Sequence, residues 1–209
     1  MPAKNHDLHG SVPENSPVAL LIVDVINAME FEGGEELFRN ALPMAGRLRT
    51  LAERARGADV PVIYVNDNFG RWRSDFRALL DHCVSGETRG SEIARLLTPQ
   101  KADYFVLKPK HSGFFSTTLD TLLEYLHAKT VILTGLTTDL CVLFTASDAH
   151  MRDLHIVVPA DCCAAASTEN HEMALELLRT SLNADVRLSG EIDFRELAAR
   201  GTATSARDE

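Results

Sequence analysis

The chain has 209 residues, of which 45% are hydrophobic and 24% are charged, and its formal net charge is −9. These proportions are close to the globular average, so they exclude a fibrous repeat and a wholly disordered chain, and the length suits one α/β domain. The negative charge argues against nucleic-acid and anionic-membrane surfaces, since both require clustered positive charge. We therefore expect no nucleic-acid partner and no membrane partner.

The cysteine pattern and the two ends of the chain indicate the cellular compartment and the domain boundaries. The four cysteines show no C-x-x-C spacing, so neither a zinc ribbon nor a disulfide framework is indicated. Residues 1–16 are polar and lack the apolar core of a signal peptide, which predicts a flexible arm. No apolar run approaches the roughly 20 residues of a membrane span. We expect a cytoplasmic protein with reduced thiols, one domain over 17–200 and a disordered tail over 201–209.

Apolar runs without polar alternation predict strands that are buried on both faces of a parallel sheet. Such strands are predicted at Val18–Asp24, Val60–Asn66, Tyr104–Lys108, Thr130–Thr134 and His155–Pro159, with a short sixth strand at Ala184–Leu188. Helical periodicity predicts helices at Leu37–Arg56, Trp72–Cys83, Glu92–Leu97, Thr117–Leu126, Asp139–Met151, Glu169–Asn183 and Glu191–Arg200. The alternation indicates a doubly wound α/β fold, in which helices flank a mostly parallel six-stranded sheet in a Rossmann-like three-layer arrangement.

Three chemically distinctive residues, Asp24, Lys108 and Cys141, follow or end predicted strands. The carboxyl ends of parallel strands lie at one edge of the sheet, so the fold brings these residues to that edge. Ligands bind such sheets at the same edge. A carboxylate can deprotonate a thiol and an ammonium can stabilise the thiolate, and the predicted helix N-terminus at Cys141 also favours a thiolate. Each residue also has an ordinary interpretation, as a turn cap, a surface lysine or a packed cysteine. From the residues alone, both interpretations remain open.

Four stretches carry a family resemblance from about Val18 to Val186. They are ALLIVDVINAME around Asp24, VLKPKHSGFF around Lys108, TGLTTDLCVLFTASDA around Cys141, and VVPADCCAAAS around Asp161. In this order and spacing they resemble the isochorismatase-like, nicotinamidase-related cysteine hydrolases. The second stretch matches that family's K-x-x-x-S-x-F pattern through Lys108, Ser112 and Phe114.

The resemblance implies an Asp24–Lys108–Cys141 catalytic triad and a cis peptide bond between Leu136 and Thr137. It also implies an oxyanion hole made by the backbone N–H groups of Thr137 and Cys141. The implied activity is hydrolysis of a linear, non-peptide C–N bond of a small molecule, of the amide or carbamoyl type, through a thioester. The implied assembly is a homodimer or homotetramer, in which a neighbouring subunit can complete the pocket.

The chain departs from two branches of that family. Isochorismatases, which cleave a vinyl ether, typically lack the cysteine that is present here as Cys141. Nicotinamidases hold a metal with an aspartate and histidines after the second strand, whereas residues 66–72 contain no histidine. Asp67 alone provides too few ligands for a metal ion, so we expect neither a metal nor another cofactor. Without the metal site of the nicotinamidases, nicotinamide is a less favoured substrate.

Loop residues after the strand ends are expected to determine specificity, although packing or a solvated loop is the ordinary interpretation of each. The candidates are Phe31, Asn68, Phe69, Trp72, His111 and Phe114. Asp161 is interpreted as a structural residue that holds its turn. The competing functions are a vinyl-ether hydrolase, a non-catalytic small-molecule-binding α/β module and a catalytically silent family member. The sequence contains no G-x-G-x-x-G motif and no P-loop, which disfavours a nucleotide-binding module.

Overall fold

The computed structural model describes residues 15–67 and 76–205, with side chains up to residue 200. Its sheet is built from β1 (Val18–Val23), β2 (Val62–Asp67), β3 (Tyr104–Lys108), β4 (Thr130–Leu136), β5 (His155–Val157) and β6 (Cys163–Ala164). The strands pair in the order β3-β2-β1-β4-β5, with β6 also paired to β4, and every pairing is parallel. The predicted doubly wound α/β fold with a six-stranded sheet is confirmed.

Helices cover both faces of the sheet, because alternate residues of the central strand point to opposite sides. The helices are α1 (Gly34–Gly57), α2 (Phe76–Ser85), α3 (Ser91–Leu96), α4 (Leu119–Leu126), α5 (Leu143–His150), α6 (Thr168–Ser181) and α7 (Phe194–Ser205). Leu20 and Ile22 of β1 belong to the core that α1, α3 and α7 complete. Leu21 and Val23 belong to the core under α4, α5 and α6. All six residues of β1 are fully buried, as the unbroken apolar run predicted.

The sixth strand differs from the prediction. Residues Ala184–Leu188 form no strand and contribute a single bridge between Asp185 and Val157 at the open side of β5. The sixth strand is instead the two-residue segment Cys163–Ala164, which pairs with Gly135 and Leu136. Two residues are too few to produce a recognisable periodicity, so the sequence pattern could not reveal this strand.

The last helix also differs, since α7 reaches Ser205 and so passes the predicted end at Arg200. Within the described ranges, no helix is long and apolar enough to cross a membrane. The predicted pocket residues Asn68, Phe69 and Trp72, and the start of the second predicted helix, lie outside the described residues.

Candidate active site

The candidate site lies where the strand order reverses, at the carboxyl ends of β1 and its neighbours β2 and β4. Asp24 directly follows β1 with φ of 51°, a left-handed conformation that Asp tolerates better than most residues. The buried Asn66 of β2 holds the chain after Asp24. Its Nδ2 donates to Ile26 O at 2.8 Å, and its Oδ1 accepts from Ile26 N at 3.3 Å. Asp24 is thereby fixed at the edge of the sheet.

The structure brings Asp24, Lys108 and Cys141 together, as their predicted positions at the sheet edge imply. Lys108 Nζ lies 2.8 Å from Asp24 Oδ2 and 3.3 Å from Cys141 Sγ. Lys108 Nζ also donates to Lys110 O at 3.1 Å. The other oxygen of the carboxylate, Asp24 Oδ1, accepts from Asp67 N at 2.6 Å. The ammonium therefore contacts both the carboxylate and the sulfur.

Burial controls the protonation of these groups. Lys108 has no exposed surface, and Asp24 is 6% exposed. Desolvation raises the pKa of Asp24, although the charge of Lys108 opposes this rise. Desolvation alone would lower the pKa of Lys108, but the charge of the adjacent Asp24 carboxylate leads the opposing effects, and the pKa is raised. Lys108 is therefore an ammonium that can stabilise negative charge on either neighbour.

Cys141 does not lie in the regular helical N-terminus that the sequence indicated. Residues Thr138–Val142 form a π-helical turn, and the regular helix α5 begins only at Leu143. Desolvation, followed by the charge of Asp24, raises the pKa of the Cys141 thiol to about 12, and Lys108 only partly offsets this. The expected preference for a resting thiolate is thus corrected: the group is a thiol that hydrogen-bonds a carboxylate.

The chain before Cys141 approaches β1 very closely. Gly135 pairs with Val23, and a Cβ at Gly135 would lie 2.1 Å from Val23 O. Its φ of +102° also disfavours any other residue. The peptide bond between the following two residues, Leu136 and Thr137, is cis, as the resemblance implies.

The Ser112 segment is an anchor for the loop after Lys108, and this explains part of the matched pattern. Ser112 Oγ donates to a carboxylate oxygen of Asp148, and Gly113 N donates to Thr145 Oγ1 at 3.0 Å. The Thr145 hydroxyl in turn donates to Cys141 O at 2.6 Å. The loop after Lys108 is thus fastened to α5, the helix that directly follows the turn with the cysteine.

Phe114 does not line the pocket, contrary to the expectation from the sequence. It is 4% exposed and packs in the core, with the Arg152 guanidinium 4.5 Å above its ring centre. The reason is that the preceding Ser112 and Gly113 are fastened to α5, which turns the following ring inward.

A pocket of about 360 Å³ opens above Cys141. It is lined by Asp24, Asn27, Phe31, Glu32, Gly33, Leu37, Asp67, His111, Leu136, Thr137, Asp139, Leu140, Cys141 and Ala166. Two of the predicted specificity residues are among them. Phe31 is 48% exposed, and His111 lies with Nδ1 3.9 Å from Cys141 Sγ while its ring packs on Phe144. Both Thr137 and Cys141 also line this pocket, where the expected oxyanion hole would lie.

Several lining residues were not predicted. Asp67 ends β2 at the same sheet edge and places Oδ2 3.8 Å from Lys108 Nζ, so the strand-end rule could have identified it. Asp139 and Leu140 lie in the π-helical turn Thr138–Val142, which the sequence pattern did not predict. Asp161 accepts hydrogen bonds from Ser189 N at 2.7 Å and Ser189 Oγ at 2.8 Å, which supports its structural interpretation.

The described residues contain no group of three or more His, Cys, Asp or Glu side chains arranged to hold a metal ion. The expectation of a metal-free protein remains a prediction. Asp67 is accompanied at this site by Asp24 and the cation Lys108, and a buried ammonium beside a carboxylate pair disfavours a second cation.

Comparison with known proteins defines the family. The isochorismatase domain model matches residues 18–189. The chain belongs to the isochorismatase family. An uncharacterised member from Bacillus subtilis, YaaI, is 41% identical over 174 residues, covering 83% of this chain and 95% of that protein. This isochorismatase-family chain is also 28% identical over 189 residues to the ureidoacrylate amidohydrolase RutB of Methylobacterium radiotolerans, covering 77% of this chain and 72% of that protein.

Solved structures agree with this assignment. The crystal structure of N-carbamoylsarcosine amidase from Thermoplasma acidophilum superposes with a TM-score of 0.65 at 31% sequence identity, covering 84% of this chain and 98% of that one. The recognised resemblance is therefore confirmed, and this chain is a hydrolase of the isochorismatase family with amidohydrolases among its relatives.

Proposed function

We propose that this isochorismatase-family protein is a cysteine-dependent hydrolase that cleaves a linear C–N bond in a small amide or carbamoyl compound. The observation that carries the proposal is the position of Lys108 Nζ, 2.8 Å from Asp24 Oδ2 and 3.3 Å from Cys141 Sγ. A nucleophile, a base and a cation in mutual contact are the set of groups that acyl transfer through a thioester requires. The amidohydrolase relatives support the same reaction class.

The reaction begins with proton transfer, because the pKa of Cys141 is raised to about 12 and the resting sulfur is protonated. The Asp24 carboxylate accepts the thiol proton as the sulfur forms a bond to the substrate carbonyl carbon. Asp24 then donates this proton to the leaving nitrogen as the C–N bond breaks, which leaves a thioester on Cys141. A water then gives a proton to Asp24 and attacks the thioester. As the C–S bond breaks, the sulfur recovers the proton and the acid is released.

The charges that develop in these steps require fixed partners. Lys108 is fully buried, so its ammonium acts in a medium where a charge interaction is stronger than in water. Thr137 and Cys141 line the pocket next to the sulfur, and we assign their backbone N–H groups to the oxyanion of the tetrahedral intermediate.

A vinyl-ether hydrolase is the competing enzyme, and a non-catalytic binding module is the competing function of another class. The cysteine in contact with a carboxylate and an ammonium disfavours both, because neither needs a nucleophile. The expected homodimer or homotetramer remains a prediction, which light scattering of the purified protein tests.

The deciding experiment is an ammonia-release screen over small amides, ureas and N-carbamoyl compounds, with isochorismate assayed in parallel. We expect turnover in the C–N series and its loss in Cys141→Ala, while Cys163→Ala retains turnover as a matched buried-cysteine control. Wild-type rates in Cys141→Ala would refute the nucleophile. Turnover of isochorismate without turnover of any C–N compound would establish the vinyl-ether hydrolase instead.

A further inference from the structure

The first turn of α6 is bonded to the π-helical turn that carries the cysteine. His171 Nδ1 lies 2.8 Å from Thr138 Oγ1, and Asn170 Nδ2 donates to Asp139 Oδ2 at 3.2 Å. Two consecutive residues of one element thus bind two consecutive residues of the other. Since the segments are separated by about 30 positions in sequence, no local pattern creates this pairing.

The Thr138–His171 contact is enclosed. Thr138 has no exposed surface, so its hydroxyl depends on a protein partner. His171 is partly buried, and desolvation lowers the pKa of its imidazole, so the ring is neutral near pH 7. A neutral imidazole offers one ring nitrogen as an acceptor, and Nδ1 is the nitrogen that faces the hydroxyl.

The turn that is held in this way determines where the sulfur and the pocket amides lie. Thr138 directly follows the proposed oxyanion residue Thr137, and Thr137 O accepts from Leu140 N at 3.2 Å and Val142 N at 3.1 Å. Cys141 lies between these two donors. A shift of the backbone at Thr138 would therefore move the sulfur relative to Asp24 and Lys108, and small displacements of this kind are costly in rate.

We infer that His171, and secondarily Asn170, are positioning residues. They hold the π-helical turn Thr138–Val142, the nucleophile turn, in its reactive geometry through Thr138 and Asp139. Neither side chain lines the pocket above Cys141, so they act on the turn and not on the substrate. The inference rests on the proposed function, since it concerns the rate of the same hydrolysis.

The test is a double-mutant cycle on the hydrolysis of a substrate that the screen identifies. Thr138→Val and His171→Phe are each expected to lower kcat about 10- to 100-fold with KM within about twofold, because the substrate does not touch either residue. The double variant should be no slower than the slower single variant, since both changes break one contact. His171→Asn should recover part of the loss because its amide can replace the Nδ1 contact. Asn170→Ala should cause a smaller fall in kcat.

Matched controls separate positioning from general stability. His155 is another partly buried histidine, with a pKa that desolvation lowers, on β5 and away from the pocket. His155→Phe should leave kcat unchanged. The inference would be overturned if the losses in kcat of Thr138→Val and His171→Phe multiplied in the double variant, or if both variants kept the wild-type kcat. An equal loss of kcat in His155→Phe would overturn it as well. If Cys141→Ala is inactive while the His171 variants behave as wild type, only this inference fails and the proposed function stands.

Discussion

Cys141 and Cys163 lie at the same end of the sheet, and their surroundings differ in kind. Cys141 follows the carboxyl end of β4, and Cys163 begins β6, which pairs with Gly135 at that end. Desolvation is the largest cause of a raised pKa at both thiols, to about 12 for Cys141 and well above the usual value for Cys163. The sulfur of Cys141 faces Lys108 and Asp24, whereas the thiol of Cys163 donates to Leu133 O at 3.7 Å.

Burial by itself therefore produces an unreactive thiol at either position. What distinguishes Cys141 is a base that can take its proton during the reaction and a cation that can hold the resulting charge. The pocket of about 360 Å³ adds the third requirement, which is room for a substrate next to the sulfur. The following predictions test whether these partners, and not exposure, separate the two cysteines.

The largest effect is expected from Asp24→Asn. This change removes the base, so kcat should fall by at least about 100-fold, because general-base catalysis contributes on that order or more. It also leaves the fully buried Lys108 without its partner at 2.8 Å, so we expect a loss of about 3 kcal/mol in the free energy of unfolding. Kinetics and urea denaturation measure the two effects.

The control for this stability loss is the double variant Asp24→Asn/Lys108→Met. Removing the ammonium also removes the buried charge that has lost its nearest carboxylate and keeps only Asp67 at 3.8 Å, so the double variant should be more stable than Asp24→Asn while remaining inactive. Equal instability of the two variants would contradict the charge-pair explanation.

Gly135 connects both cysteine environments, since it pairs with Cys163 and precedes the turn of Cys141 by a few residues. Gly135→Ala places a methyl group 2.1 Å from Val23 O in a backbone with positive φ, so it should destabilise the fold by about 2 kcal/mol or more. Thermal unfolding measures this loss. The matched control is Gly46→Ala in α1, where a Cβ meets nothing within 4 Å. That change should stabilise the helix by about 0.5–1 kcal/mol.

The smallest effect concerns alkylation by iodoacetamide at pH 8, followed by mass spectrometry. In the wild type, Cys141 should react slowly, with a rate that rises with pH beyond pH 10, because its pKa is raised to about 12. Asp24 raises that pKa, so Asp24→Asn should lower it and accelerate alkylation up to about tenfold while hydrolysis is lost. Cys163 should remain unmodified in the folded protein. Slower alkylation of Asp24→Asn would contradict this account of the Cys141 thiol.

Most of the fold followed from local patterns. The unbroken apolar run of β1 predicted a strand buried on both faces, and β3 ends at Lys108 as expected. The strand Cys163–Ala164 was not predicted because two residues are too few to show a periodicity. Ala184–Leu188 was wrongly predicted as a strand because its apolar and polar residues alternate, as is typical of a strand. The π-helical turn at Thr138–Val142 was missed for a similar reason, since a five-residue turn resembles the start of a regular helix.

The sequence by itself indicated the family through a resemblance, the first five strands along the chain, and the placement of Asp24, Lys108 and Cys141 at strand ends. The strands and the strand-end placement follow from residue types and their spacing, which are local properties of the chain. Only the tertiary structure decided that Phe114 is a core residue, that the Cys141 thiol is protonated at rest, and that α6 bonds to the nucleophile turn. Each of these depends on burial or on contacts between distant segments. Packing in three dimensions sets both the desolvation of a group and the partners that it finds.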